Sequence, residues 1–320
     1  MIEQLDSRVG DGLAIHVRPR VVALIPAYNE ERCIGSVVLR AREFVDAVIV
    51  VDDGSCDATA RIAEAAGATV IRHKTNSGKG QALTTGFRAA RALRPEVLIV
   101  LDSDGQHKPD EIPLLLEAMA VQGVDMVVGS RFRDQEQLDK IPGGRRIGLR
   151  AVTTMTNVFS GVAVTDSQSG FRAFSSRALN LLTFRGAGFS VESEMQFLAR
   201  THNLSVAEVS ISADYDDPAK RNPVVQGFDV VNGVLRLVGQ TRPLLFLGGP
   251  GVVVLLTGLF MGLFVVSIYA SSQKLAVGYA LISVLCVVVG ALSLFSGIIL
   301  HSTRALLLSL LDAQRPRETD

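Results

Sequence analysis

The chain has 320 residues, room for one large domain or two small ones, and is 48% hydrophobic with 32 basic against 32 acidic residues. So apolar a composition at zero formal net charge is unusual for a purely soluble protein, and nucleic acid is not expected among its partners. Cys33, Cys56 and Cys286 are scattered and odd in number, which excludes a disulfide framework or a zinc site and fits a reducing cytosol with all three as small buried hydrophobes.

Residues 1–19 carry an early acidic residue and no long apolar core, so they read as an N-terminal extension and not as a signal peptide. Residues 20–225 read as one domain. VVALI (Val21 to Ile25) leads into a helical EERCIGSVVLRAREF, AVIVV into CDATARIAEAAG, ATVIRH into SGKGQALTTGFRAARAL and EVLIVL into PDEIPLLLEAMAVQG, with VDMVVGS closing the run. Short β-branched strands alternating with longer helical segments predict parallel strands joined by crossover helices, an α/β sheet buried on both faces. From Pro142 to Tyr215 the pattern weakens: RRIGLRAVTTMTNVFSG predicts a helix, TDSQSGFRAF a turn into a strand, SVESEMQFLARTH a helix and SVAEVSISADY an edge strand.

Residues 226–242 place Phe228, Val231, Val234, Leu235 and Val238 on one helical stripe, suited either to the plane of a membrane interface or to packing on its own domain. Uncharged stretches then run from Pro243 to Gln273 and from Leu275 to Leu300, each longer than the roughly 20 residues a helix needs to cross a bilayer. Residues 243–301 therefore predict two transmembrane helices. The link Ser271-Ser272-Gln273-Lys274 makes them a hairpin with both flanks on one side. Arg236 and Arg242 precede the hairpin and Arg304, Arg315 and Arg317 follow it, so the expected location is the cell membrane, multi-pass, with the large domain and the tail at 302–320 in the cytoplasm. Association of such hairpins into a homo-oligomer is left open.

Ligands of open α/β sheets bind outside the carboxyl ends of the strands. Polar groups gather there: Pro26-Ala27-Tyr28-Asn29-Glu30 after the first strand, Asp52-Asp53-Gly54-Ser55 after the second, Asp102-Ser103-Asp104-Gly105-Gln106 after the fourth and Gly129-Ser130-Arg131 after the fifth. Turn chemistry alone supplies some Asp and Gly at each end, but not acid pairs at two of them and Tyr-Asn-Glu at a third. The first turn has no G-x-G-x-x-G, which argues against a nicotinamide cofactor, and Asn76-Ser77-Gly78-Lys79-Gly80 lacks the spacing of an ATP-hydrolysing phosphate loop. An Asp-x-Asp at a strand end suits a hard divalent cation whose shell is completed by diphosphate oxygens and water.

Taken in order over about residues 20–225, the segments IPAYNEE, VVDDGSCDAT, NSGKGQA, LDSDGQH, VVGSRF and SGFRAF resemble the family 2 glycosyltransferases. More narrowly, the set is similar to the dolichyl- or polyprenyl-phosphate sugar transferases. The resemblance implies a GT-A fold, an α/β Rossmann-like sheet, followed here by the two-helix membrane hairpin. It implies inverting transfer of one sugar from a nucleotide-sugar donor (UDP-glucose, UDP-N-acetylglucosamine or GDP-mannose) to dolichyl or polyprenyl phosphate in a lipid bilayer, with Mg2+ or Mn2+. Carried over residue by residue, Pro26, Tyr28, Glu30 and Asp53 would hold the nucleotide, with Asp52 and Lys79 beside them. Asp102, Asp104 and Gln106 would hold the metal, and Arg131 with Arg145 or Arg146 would grip the acceptor phosphate. Asp104 and Arg131 are the residues expected to carry catalysis.

A lipid phosphate has a second pKa of roughly 6, so it attacks already ionised and needs positioning, not deprotonation. Were the acceptor a hydroxyl, Glu192 and Glu194 are where a base is expected, although both also suit a helix start. The sequence departs from the better-known branch at Pro218-Ala219-Lys220-Arg221-Asn222-Pro223, where Arg-x-x-Gly-x-Ser-Lys is expected; Asn222-Pro223-Val224 is similar to an archaeal and bacterial sub-branch with the same hairpin. Lys220 and Arg221 suit a phosphate at the bilayer surface or anionic headgroups. Two other functions compete. A processive polysaccharide synthase is disfavoured because the chain has no Trp for a Gln-x-x-Arg-Trp motif, and Gln240-Thr241-Arg242-Pro243 does not replace it. A membrane-tethered nucleotide-sugar binder without turnover would not need the whole set Asp102, Asp104, Gln106 and Arg131.

Overall fold

The computed structural model describes residues 20–133, 143–184, 191–212, 244–273 and 276–313. The chain divides into two compact units, Met1–Gln226 and Gly227–Asp320. The extension at 1–19, the stripe at 226–242, Lys220, Arg221 and Lys274 lie outside the described residues, as does the side chain of Arg145.

In the first unit the chain runs β1 (Val21–Ala27), α1 (Ile34–Ala41), β2 (Ala47–Asp52), α2 (Thr59–Ala65), β3 (Thr69–Arg72), α3 (Lys79–Leu93) and β4 (Val97–Val100). It continues through α4 (Ile112–Gln122), β5 (Met126–Ser130), α5 (Gly143–Ser160), β6 (Arg172–Ser175), α6 (Ser176–Leu181), α7 (Val191–Thr201) and β7 (Val206–Ser210). The strands form one seven-stranded sheet in the order β3-β2-β1-β4-β6-β5-β7.

Strand alternation sends successive residues to opposite faces, and here both faces are covered. Val22 and Leu24 of β1 pack with Leu83 and Phe87 of α3 and Met195 of α7. Ala23 and Ile25 pack with Ile34 and Val38 of α1 and Leu115 of α4. Phe87 anchors the first cluster, meeting Phe174 and Phe184 edge-on at centroid distances of 5.3 and 4.7 Å. Each fully buried aliphatic or aromatic side chain stabilises such a core by about 1.5–3 kcal/mol.

The expected α/β layering is present, but the sheet is not wholly parallel. β6 runs antiparallel between β4 and β5, with Arg172 opposite both Val100 and Val128. The reason is positional. The first residue of β6 stands opposite the last of β4, so the chain enters this strand from the carboxyl rim and β6 must run backwards. The turn at 165–171, just before β6, is thereby placed at that rim. β7 pairs only with β5 among the described strands and is the predicted edge. The cysteines depart from their reading as buried hydrophobes: all three are free, Cys33 and Cys286 are half-buried, and Cys56, in the loop after β2, is exposed.

In the second unit a π-turn, Leu244–Gly248, enters α8 (Gly249–Ser272), and α9 (Val277–Ala313) returns. Two spans, Leu244–Ser272 and Val277–Thr303, are long and apolar enough to cross a membrane, each with a mean hydropathy of 2.5. The helices touch through small residues seven apart, Gly251 and Gly258 on α8 against Gly290 and Ser283 on α9, while Gly297 of α9 meets Gly248 at the π-turn. A Cβ on Gly258 would stand 2.7 Å from Val287 N, and one on Gly290 would collide with the Leu255 backbone. Ser283 Oγ donates to the Gly258 carbonyl at 2.8 Å, and Ser293 Oγ to that of Leu247 at 2.8 Å. Outward-facing Phe260, Leu263 and Leu281 are 75%, 71% and 67% exposed, a greasy surface suited to lipid and not to water.

Candidate active site

Four loops meet at the carboxyl rim. The loops after β1 and β2 are tied together: Asn29, at φ +53°, donates its N–H to Ser55 Oγ (2.9 Å) and accepts from Cys56 N–H (2.9 Å), while Glu30 N–H donates to Thr59 Oγ1 (2.8 Å). Pro26 is buried at the end of β1, Tyr28 is 38% exposed and Glu30 is half-buried. Asp52 is fully buried; it accepts from Ser55 N–H (3.1 Å) and Oγ, and Arg72 Nε lies 3.1 Å from its second oxygen. Asp52 therefore shapes the turn. Asp53, 3% exposed, accepts from the N–H groups of Ser77 (3.0 Å) and Gly78 (2.7 Å) and faces His73 Nδ1 at 2.7 Å. It draws the segment before α3 onto the loop after β2, bringing Lys79 to the rim.

Asp102 and Asp104 follow β4. Gly170 backs Asp102 so closely that a Cβ there would stand 2.7 Å from Oδ1 and collide with Oδ2, so a larger residue would have to displace this carboxylate. Lys79 Nζ, on the first residue of α3, lies 2.5 Å from Asp102 Oδ1 and 2.7 Å from Glu192 Oε1 at the start of α7. His107 Nδ1, buried and without a hydrogen-bond partner, faces Asp102 Oδ2 at 3.6 Å. Burial disfavours the charged form of Asp102, but Lys79 and then His107 outweigh it and hold its pKa at about 2. Burial, with Asp102 beside it, pushes Asp104 above the ordinary carboxylate value. Its Oδ1 accepts from Gln106 N–H at 3.0 Å. Burial pushes His107 below its usual value, favouring the neutral ring. Glu192 is half-buried, which disfavours its charge, yet Lys79 outweighs this and holds its pKa below the usual range.

Arg131, just past β5, is buried and forks onto Asp166, Nε to Oδ2 at 2.6 Å and Nη2 to Oδ1 at 3.0 Å. Arg172, also buried, donates to the carbonyls of Ser169 (2.9 Å), Ser167 (2.7 Å) and Glu192 (3.1 Å), fixing both the rim turn and the start of α7. Sequence reasoning assigned no role to His107, Asp166, Gly170 or Arg172, although His107 lies in LDSDGQH and Gly170 and Arg172 in SGFRAF. The structure brings Lys79, Asp102, Asp104 and Glu192 together. Arg146 lies half-buried on α5.

No cluster of three or more His, Cys, Asp or Glu side chains fit for a metal occurs among the described residues. Two carboxylates one residue apart, the second with its pKa raised by burial and by the charge of the first, nonetheless fit an ion that keeps water and phosphate oxygens in its shell. Residues 22–182, β1 through α6, match the family model described as Glycosyl transferase family 2. The chain belongs to this family. The glycosyltransferase is 32% identical to the UDP-N-acetylglucosamine–dolichyl-phosphate N-acetylglucosaminyltransferase of Methanococcus voltae over 68% of this chain and 95% of that one. It is also 32% identical to the undecaprenyl-phosphate mannosyltransferase of Micrococcus luteus, over 60% and 83% of the two chains. Among solved structures, glucosyl-3-phosphoglycerate synthase from Mycobacterium tuberculosis, in complex with Mn2+, UDP and phosphoglyceric acid, superposes with a TM-score of 0.51 at 24% identity, covering 69% of this chain and 79% of that one. That likeness establishes the GT-A fold of the glycosyltransferase.

Proposed function

We propose that this glycosyltransferase moves a single sugar from a nucleotide-sugar to a polyprenyl or dolichyl phosphate, with inversion, at the cytoplasmic face of the cell membrane. The observation that carries the reading is the presence in one chain of a carboxylate pair at the sheet rim and an apolar two-helix hairpin. Relatives named for dolichyl- and undecaprenyl-phosphate acceptors support it.

Tyr28, Glu30 and Asp53, with Pro26 beneath, would receive the nucleotide, and Asp102, Asp104 and Gln106 would hold Mg2+ or Mn2+. Such an ion, when bound, neutralises charge building on the departing diphosphate. The remaining work falls to the chain itself. Lys79 adds a fixed positive charge beside the carboxylates, and Arg131, locked in orientation by Asp166, is a preorganised cation for the acceptor phosphate, to be joined by Arg145 or Arg146. Glu192 is a poor general base because Lys79 holds its pKa below the usual range. That favours an acceptor that arrives ionised, a phosphate, over a hydroxyl.

The test is a donor panel with detergent-solubilised protein, Mn2+ or Mg2+ and polyprenyl phosphate, offering UDP-glucose, UDP-N-acetylglucosamine and GDP-mannose in turn and counting sugar in the lipid phase. One donor is expected to give lipid-linked sugar, with Asp104→Ala lowering the rate by about a hundredfold or more. Tight donor binding with no lipid-linked product would overturn the acceptor assignment.

A further inference from the structure

The site already contains a cation. Lys79 Nζ bridges Asp102 Oδ1 (2.5 Å) and Glu192 Oε1 (2.7 Å), joining the loop after β4 to the start of α7. Asp102 Oδ2 faces His107 Nδ1 at 3.6 Å, too far for a hydrogen bond, so the ammonium holds this carboxylate through Oδ1. Arg131 is close enough to act on Asp102 electrostatically, but its own charge is met by Asp166. An ion on Asp102 at the ordinary Mg2+–oxygen distance of about 2.1 Å would share the carboxylate with the ammonium. The two positive groups would then stand within about 5 Å of each other in a part-buried site, where water screens their repulsion only in part. A diphosphate removes the conflict, offering oxygens to the ion and acceptors to the ammonium, while Glu192 keeps the ammonium anchored.

Given the metal site assigned above to Asp102 and Asp104, we infer that Lys79 is a resident counter-cation that couples metal to nucleotide. Bridging Asp102 and Glu192, it opposes a divalent ion binding alone and yields Asp102 when a nucleoside diphosphate takes up its charge. Linkage makes the effect reciprocal: the ion tightens the nucleotide by the factor by which the nucleotide tightens the ion. The consequence is protective, because the ion and the donor that needs it load together.

The experiment measures Mn2+ binding to the full chain in detergent by electron paramagnetic resonance, with Mn2+ alone and with UDP or GDP. For the unaltered protein, Mn2+ alone is expected to bind weakly and the matching nucleotide to tighten it by about 5- to 150-fold. In Lys79→Met, Mn2+ alone should bind about tenfold or more tighter and the nucleotide effect should shrink towards one, while Lys79→Arg keeps the coupling. Thermal unfolding is the second readout: Mn2+ alone should raise the Tm of Lys79→Met, whose carboxylates have lost their counter-charge, and leave that of the unaltered protein nearly unchanged. Lys79→Gln is carried in parallel, so that a folding defect of one replacement does not decide the matter. Mn2+ binding alone to both uncharged variants no more tightly than to the unaltered protein overturns the counter-cation role and leaves the metal site standing. No Mn2+ binding to the unaltered protein with either nucleotide overturns the metal site, and the coupling with it.

Discussion

Asp166 and Arg131 form the most deeply buried ion pair at the rim, with Asp166 0% and Arg131 6% exposed and both guanidinium contacts in place. Removing one member strands the other charge away from water, so Asp166→Asn should cost about 3–5 kcal/mol of stability near neutral pH. The pH dependence has a definite sign. Burial disfavours the Asp166 carboxylate, but Arg131 outweighs it and holds the pKa below the unfolded value. The contribution is then complete above the ordinary carboxylate value of about 3.9 and is lost as pH falls from there through the depressed folded value. Tm measured across acid pH should fall more steeply below about pH 4 in the unaltered protein than in Asp166→Asn. Parallel curves would assign the pair no net stabilising role. Asp166 also shows the limit of reading residues one at a time. Asp102 and Asp104 stand out locally because two acids follow a greasy strand, whereas Asp166 in TDSQSG looks like any turn aspartate until β6 carries its turn to the rim. Arg172 is hidden the same way, since a fully buried arginine that donates to three carbonyls has the sequence appearance of a surface charge.

At the scale of elements, most strands were legible because runs with β-branched residues bounded by turn residues occur at them, β6 with its Arg-Ala-Phe-Ser being the exception. The direction of β6 was not, since four residues of which the first three are buried look the same whichever way they run. Knowing that the chain enters β6 from the rim requires the three-dimensional path that leads to its preceding turn, which periodicity does not encode. The hairpin shows a similar gap. Its apolar length was plain, but the seven-residue spacing of Gly251 and Gly258 against Gly290 and Ser283 lies inside a composition where glycine draws no attention. Helices in lipid gain little from hydrophobicity against each other, so close backbone packing through such residues is what joins them. Gly258→Leu should push α8 off α9, costing about 1–3 kcal/mol by overpacking and also stretching the Ser283 bond to the Gly258 carbonyl. Unfolding in mixed detergent micelles, followed by circular dichroism, checks this; Val253→Leu, on a surface that is 64% exposed, is the matched control and should have almost no effect.

For the whole molecule, the proposed membrane hairpin carries a prediction of which side the sugar chemistry occupies. A 29-residue span at 1.5 Å per residue is about 43 Å long, so Leu244–Ser272 outreaches a hydrocarbon core of about 30 Å and can carry its ends into the headgroups. Tyr269 and Tyr279, 48% and 54% exposed and close to the turn between the helices, have the amphipathic rings that favour that boundary. Arg236 and Arg242 before the hairpin and Arg304, Arg315 and Arg317 after it weigh against one Lys274 at the turn, which predicts the turn outside and both flanks inside. Cys56 supplies a native reporter, being exposed on the loop after β2. In intact cells a membrane-impermeant maleimide should therefore leave Cys56 unlabelled until the membrane is opened. With the native cysteines replaced by serine, a Ser272→Cys reporter at the turn should label at once, because its side chain lies at the exposed end of α8. The reverse pattern would put the catalytic unit on the outer face, away from cytoplasmic nucleotide-sugars, and the proposed donor class would fall with the topology.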